Sequence, residues 1–418
     1  SNIFNYNIMT PENWLLIIIC LVLFNYFFST ILEYINDKNW KTDIPKNMNA
    51  FYAKEKYEKA RKYSIEKGKI SFISSTFSLI LVLLLLWFEG YGFIDSFIST
   101  KYDGLFIQSG LFFLALMILS DLIKLPFEYY FTFIIEEKYG FNKTTIRTFL
   151  TDKIKKYILA ILIGGGILAG TIYLFSYVNN SFWLWLWTGM SIFLILTNMF
   201  YAELIVPIFN KLKPLNNGSL KNKIEAYSKK VGYSLSKIYV IDGSKRSSKA
   251  NAFFSGLGSR KTIALYDTLI EKHSEDELVA VLAHEVGHYK KKHILTSLIL
   301  SILQLGLMCF LFELCLNEEN ISRALGSDKV VFHLGLVGFG ILYSPIGTIV
   351  GIFMNILSRK NEFEADAYAK KTFEGSSLEL ALKKLSVDNL TNLYPHPLYV
   401  FIHYSHPPLL KRLEALNK

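Results

Sequence analysis

Apolar residues gather along this chain into seven long runs, at roughly 14–34, 71–94, 105–134, 157–178, 182–209, 295–316 and 330–356. A helix needs about 20 apolar residues to cross the hydrocarbon core of a bilayer, so each run predicts a membrane span. The first run has no basic stretch before it and no small-residue cleavage pattern after it, so it reads as a retained anchor. Only "YVNNSF" separates the fourth run from the fifth, which predicts a tight reversal between antiparallel neighbours. Charged residues with helix and strand periods return at 210–294 and 357–418. The chain therefore divides into spans one to five with their loops (1–209), a water-facing part (210–294), spans six and seven (295–356) and a C-terminal water-facing part (357–418).

Composition agrees with this division. Hydrophobic residues make up 51% of the 418, and charged residues still reach 19%, as in a polytopic membrane protein with a substantial aqueous part. The net charge of +10 sits mostly in loops beside the apolar runs, where it reports topology and contact with anionic lipid. No recognition module accompanies the charge, so nucleic acid is not an expected partner. Ten Lys and Arg lie between spans one and two and six between spans three and four, against one, none and two in the opposite loops. By the positive-inside rule the N-terminus lies outside, and the C-terminus and both water-facing parts lie in the cytoplasm. The three cysteines, Cys20, Cys309 and Cys315, fall within apolar runs and predict neither disulfides nor a thiolate metal site.

Some spans carry ionisable groups. Span three holds Asp121, Lys124 and Glu128 around Pro126, and span five holds Glu203 before Pro207. Asp121 and Lys124, at i and i+3, predict an internal ion pair near the interface; the other reading has them line a substrate chamber.

The aqueous part carries the chemistry. Residues 219–232 predict an amphipathic helix ending at Gly232, and 236–242 and 261–267 predict strands with "NAFFSGLG" between them. Ser274 and Glu277 then form a capping-box pattern that opens a helix containing "VLAHEVGHYKKKH". His284 and His288, four residues apart on that helix, can share one metal, with Glu285 beside it; small Gly287 permits close packing. A catalytic zinc needs a third protein ligand and an open position. "SRKNEFEADAYAKK" offers Glu362 and Asp366, again at i and i+4, so that one can ligate while the other braces a histidine. Glu364 falls on another face and is expected to be solvated or paired. In "HYSHPPLLKRLEAL", His406 precedes two prolines and Arg412 lies early in the helix they start, where a cation near zinc could stabilise an oxyanion. The remaining histidines, 273, 293, 333, 396 and 403, show no partner pattern and are assigned to structure or solvent.

These islands, with "IIEEKYGFNKTT" and "VIDGSKRSSKANAFFSGLGSRKTIALYDTLIE", resemble the Ste24 family, the type I CAAX prenyl proteases of the M48 zinc metallopeptidases. The resemblance implies an α-helical polytopic membrane protein. Its seven transmembrane helices form a barrel around a water-filled chamber, capped by a cytoplasmic gluzincin-like protease domain with a small β element. It implies His284, His288 and Glu362 as ligands of one catalytic Zn²⁺, Glu285 as catalytic base and Asp366 behind a ligand. It also implies His406 and Arg412 near the catalytic centre, and Asn251 and Ala252 in the edge segment that holds substrate.

The expected activity is hydrolysis near the C-terminus of prenylated CAAX-type substrates, by a monomer in contact with membrane lipid. A protease for membrane-protein quality control without prenyl dependence is the alternative, and a non-enzymatic scaffold or pore with a relic metal site is a second. The chain lacks the long polar insertion of animal members and an evident dilysine signal, as in a bacterial or compact eukaryotic member. The expected location is the endoplasmic reticulum in a eukaryote or the cytoplasmic membrane in a bacterium.

Overall fold

The structure, a computed structural model, describes residues 9–178, 181–255 and 261–418. Helix α1 (Pro11–Lys38) starts where the Thr10 hydroxyl accepts the Asn13 amide at 3.3 Å, with Pro11 in the first turn. The 34 residues of α2 (Lys54–Trp87) reach about 50 Å against a hydrocarbon core of roughly 30 Å, so its lysine-rich first half stands clear of the membrane. The second apolar run is not one helix to residue 94. Helix α2 stops at Trp87, Glu89 turns left-handed (φ 52°), and a separate α3 (Gly90–Ser99) begins. Hydrophobicity alone carries no mark of that break.

Helix α4 (Leu105–Tyr130) runs on through a π-wound turn at Phe131–Glu136. Helix α5 (Ile146–Leu159) passes through another, Ala160–Gly164, into α6 (Gly165–Tyr177). Next come α7 (Phe182–Leu204) and the single turn α8 (Val206–Phe209). The centre of the expected reversal, residues 179–180, lies outside the described residues, but α6 and α7 do pack together.

The aqueous part follows as β1 (Leu212–Pro214), α9 (Ser219–Lys230), β2 (Lys237–Ile241), β3 (Ala252–Ser255), β4 (Thr262–Tyr266), α10 (Asp267–Lys272) and α11 (Glu275–Lys290). The chain re-enters the bundle as α12 (His293–Leu316), turns at α13 (Glu319–Ala324) and continues as α14 (Phe332–Leu342) and α15 (Ser344–Thr372). It closes with α16 (Gly375–Asp388), α17 (Pro397–His403) and α18 (Leu409–Leu416).

Among the described residues six helical stretches are long and apolar enough to cross a membrane, and α14 with α15, bent by 48° at their junction, makes a seventh if the pair is one span. Large apolar side chains face outward, Trp87 at 76% and Leu122 at 64% exposure, which water would not tolerate over such an area but lipid does. The spans form a barrel. Among α4, α6, α7, α12 and α14 lies a cavity of about 620 Å³ lined almost wholly by apolar groups.

The charges inside the spans pair differently from the expectation. Asp121 does not meet Lys124, which is exposed; Lys153 of α5 reaches Asp121 at 2.7 Å and Glu128 at 2.6 Å. One ammonium from a neighbouring helix thus serves both carboxylates. Glu203 is met by Lys237 at 3.1 Å. At the end of the bundle where α3 and α14 begin, His333 joins three helices. It contacts Asp95 of α3 at 2.9 Å and Ser109 of α4 at 3.1 Å, all three residues being buried.

The other end carries the sheet, in the order β1-β2-β4-β3, with β2 and β4 parallel and the other pairs antiparallel. Strand β3 is therefore an edge. The sheet and α9 pack on α11 through Ile224, Ile263, Leu265, Leu278, Leu282 and Val286. The basic loops are more than topology markers. Trp40, Tyr52 and Tyr57 from the first join Tyr139 and Phe141 from the second, with Leu390 and Leu413 of the C-terminal part, in one buried cluster. Arg246 then ties the sheet region to α5 through two bonds to Asp152, at 2.6 and 2.8 Å.

Candidate metal centre

Helix α11 is the frame of the site. The Ser274 hydroxyl caps it by accepting the Glu277 amide at 3.3 Å. The return half of the expected capping box is missing, because the Glu277 carboxylate turns to His273 at 2.7 Å and Lys384 at 2.6 Å. A buried carboxylate gains more from such partners than from a neutral amide. Behind the helix, α15 comes so close that a Cβ on Gly287 would lie 3.0 Å from the Ala365 Cα. That approach brings the second motif to the first. Helix α15 spans 29 residues, about 44 Å, so its apolar start lies in the bundle and its end carries "NEFEAD" out to α11.

His284, His288 and Glu362 present their ligating atoms to one point. The two Nε2 atoms are 3.1 Å apart, and Glu362 lies 3.4 Å from His284 and 3.2 Å from His288. Donors around a tetrahedral ion at zinc distances would be separated by about 3.3 Å, so the spacing fits. Chemistry fits as well. Among the described residues Glu362 Oε2 is buried without a hydrogen-bond partner, and a neutral His284 whose Nδ1 proton goes to Asp366 turns a lone pair on Nε2 toward the same point.

The metal-facing residues are held from behind. His284 Nδ1 meets Asp366 Oδ1 at 2.8 Å, and Arg412 grips the same carboxylate from α18. Arg412 also approaches Glu362 at 3.4 Å. His406 stands at the mouth, its side chain 65% exposed and its Nε2 3.4 Å from Glu362 Oε1. Burial pushes the Glu285 carboxyl above its ordinary value, with the flanking histidines opposing. Burial alone would push the His284 imidazole down, but Asp366 and Glu362 outweigh it and set it at about 9. Asn251 is exposed just before β3, its side-chain oxygen accepting the Ala252 amide at 2.9 Å, and Ala252 opens the edge strand.

Two residues to which the sequence gives no metal-site role lie beside it. His293 is buried and sits 3.1 Å from His288 Nδ1, and Glu364 holds its other nitrogen at 3.0 Å. His293 lies five residues beyond His288, off the helix period, so no spacing rule flags it; the expected pairing of Glu364 had no named partner.

A helical membrane barrel whose aqueous end assembles two histidines and a glutamate from an H-E-x-x-H helix and a second helix is a membrane-embedded metallopeptidase. The first part of the chain, residues 33–211, matches the family description "CAAX prenyl protease N-terminal, five membrane helices", and residues 214–418 match peptidase family M48. The chain belongs to peptidase family M48 and is a metallopeptidase of the Ste24 kind. It is 35% identical over 431 residues to CAAX prenyl protease 1 of Saccharomyces cerevisiae, covering 97% of this chain and 95% of that one. It is 32% identical to the human CAAX prenyl protease 1 homolog, covering 94% and 93%. The crystal structure of S. mikatae Ste24p superposes with a TM-score of 0.90 at 36% identity, over 96% of this chain and 98% of that one.

Proposed function

We propose that the chain is a zinc endopeptidase that cleaves peptide bonds near the C-terminus of prenylated CAAX-type substrates, with His284, His288 and Glu362 holding one Zn²⁺. The carrying observation is the buried Glu362 carboxylate, its Oε2 3.4 Å from His284 Nε2 and its Oε1 3.2 Å from His288 Nε2, with no hydrogen-bond partner for Oε2 among the described residues. The substrate class rests on the names of the relatives, CAAX prenyl protease 1 in yeast and its human homolog.

When bound, zinc polarises the scissile carbonyl and makes its water acidic. Glu285 takes the water's proton and passes it to the leaving amine. His406, exposed at the mouth, is placed to donate to the developing oxyanion. Arg412 is already committed to Asp366 by two bonds, so its part is to hold that carboxylate and, through it, His284. The substrate main chain would add to the open side of β3, beginning at Asn251 and Ala252. A lipid tail would lie among the spans, a reading supported by the apolar cavity of about 620 Å³.

The basic loops 35–70 and 135–156 lie at the same end as the site, packed against the C-terminal part. The positive-inside rule then supports a cytoplasmic face at that end and an external N-terminus, in the endoplasmic reticulum of a eukaryote or the cytoplasmic membrane of a bacterium.

The test compares cleavage of one CAAX peptide with and without its farnesyl group. Faster cleavage of the farnesylated form supports the assignment. Equal rates would leave a protease without prenyl dependence, of the quality-control type.

A further inference from the structure

The two metal-facing histidines are braced by different devices that start from the same helix. His284 is held directly by Asp366. His288 is held through a second imidazole, His293, which is held in turn by Glu364. Asp366 and Glu364 both belong to α15, but His293 is the first residue of the membrane helix α12. Lys292, left-handed at φ 60°, makes the turn that ends α11 and points this first residue back at the site.

We infer that His293, fixed by Glu364, is a positioning residue for the ligand His288 and couples the start of a membrane span to the metal centre. The inference rests on the zinc reading above, because it concerns the nitrogen of His288 that zinc does not take. With His288 Nε2 turned to the metal, a neutral imidazole carries its proton on Nδ1. That N–H donates to His293 Nδ1, 3.1 Å away. His293 must then carry its own proton on Nε2, which donates to Glu364 Oε2 at 3.0 Å. Only this order of protons satisfies every atom in the chain, and it ends on a carboxylate, as outer partners of metal-bound histidines commonly do. His293 is 6% exposed, so it is held there and not merely passing. On its open side is a cavity of about 310 Å³ reaching into the bundle, lined by polar Asn198, Ser297 and Ser301. Water in that cavity is the substitute partner His288 would face if His293 were removed. Water supplies a hydrogen bond but no fixed direction.

The test is zinc affinity by chelator competition on the full-length protein in detergent, with the visible spectrum of the cobalt-loaded protein as a second readout. His293→Ala should weaken zinc binding by about 10–100-fold and shift the cobalt bands. Glu364→Gln, at a side chain 40% exposed and outside the core, should weaken it in the same direction without touching the fold. His293→Asn, whose amide oxygen falls near the position of Nδ1, should recover part of the loss, whereas a purely structural imidazole would not be rescued. Metal-free melting temperature serves as the folding control and should not follow the zinc series. An affinity of His293→Ala within about threefold of wild type, with unchanged cobalt bands, would overturn the inference. If the unaltered protein itself bound no zinc, the zinc reading would fail instead.

Discussion

Arg412 clasps Asp366 through its Nε and one terminal nitrogen at 2.8 and 2.6 Å, and the same carboxylate holds His284 at 2.8 Å. A guanidinium from the last helix thus reaches a metal-facing imidazole on α11 through a single aspartate on α15. Asp366 is 1% exposed and Arg412 9%, so water cannot replace either partner. Arg412→Ala should therefore cost about 3–5 kcal/mol of stability, because it strands a buried charge. Arg412→Lys should recover little, since an ammonium cannot make the two-pronged contact. Unfolding curves and zinc content of the two variants check this; a wild-type curve for Arg412→Ala would contradict it.

Zinc affinity should fall as pH falls. His284 is raised to about 9 because Asp366 and Glu362 outweigh burial, so below that pH a proton occupies the ring and must leave before the metal binds. The sign follows directly: protons compete below about 9 and no longer compete above it. Chelator competition between pH 6 and pH 9 measures the slope, and a flat profile would contradict the assignment.

At the far end of the bundle, His333→Ala should destabilise the protein by about 1–3 kcal/mol while leaving zinc content unchanged. It leaves buried Asp95 and Ser109 without their shared partner. A parallel loss of zinc would show that the two ends are coupled, against this expectation.

Asn251→Ala should raise KM for a peptide substrate and spare zinc binding. Its side chain fixes the Ala252 amide at the start of the edge strand and touches none of the metal-facing residues. A fall in kcat with constant KM would place Asn251 in the chemistry instead.

What the sequence made legible follows the range of the interactions involved. His284 with His288, and Glu362 with Asp366, are pairs one helical turn apart, and periodicity reveals them; so does the apolarity of the spans. Contacts between distant segments left no such mark. Asp121 found Lys153 on another helix rather than Lys124 on its own, and Glu277 abandoned the capping box partly for Lys384 of α16. His293 lies just past a left-handed residue that no helix period foresees. The aromatic residues in the basic loops, Tyr52, Tyr57, Tyr139 and Phe141, were the available signal that those loops pack and do more than set sidedness.

The central claim is that Glu285 performs hydrolysis at a zinc held by His284, His288 and Glu362. It is tested most directly by comparing purified wild type with Glu285→Gln for zinc content and for cleavage of a farnesylated CAAX peptide. Both proteins should hold about one zinc per chain, and the variant should lose at least about 100-fold in cleavage rate. Cleavage by Glu285→Gln at the wild-type rate, or cleavage by wild type that survives complete removal of zinc, would contradict the account.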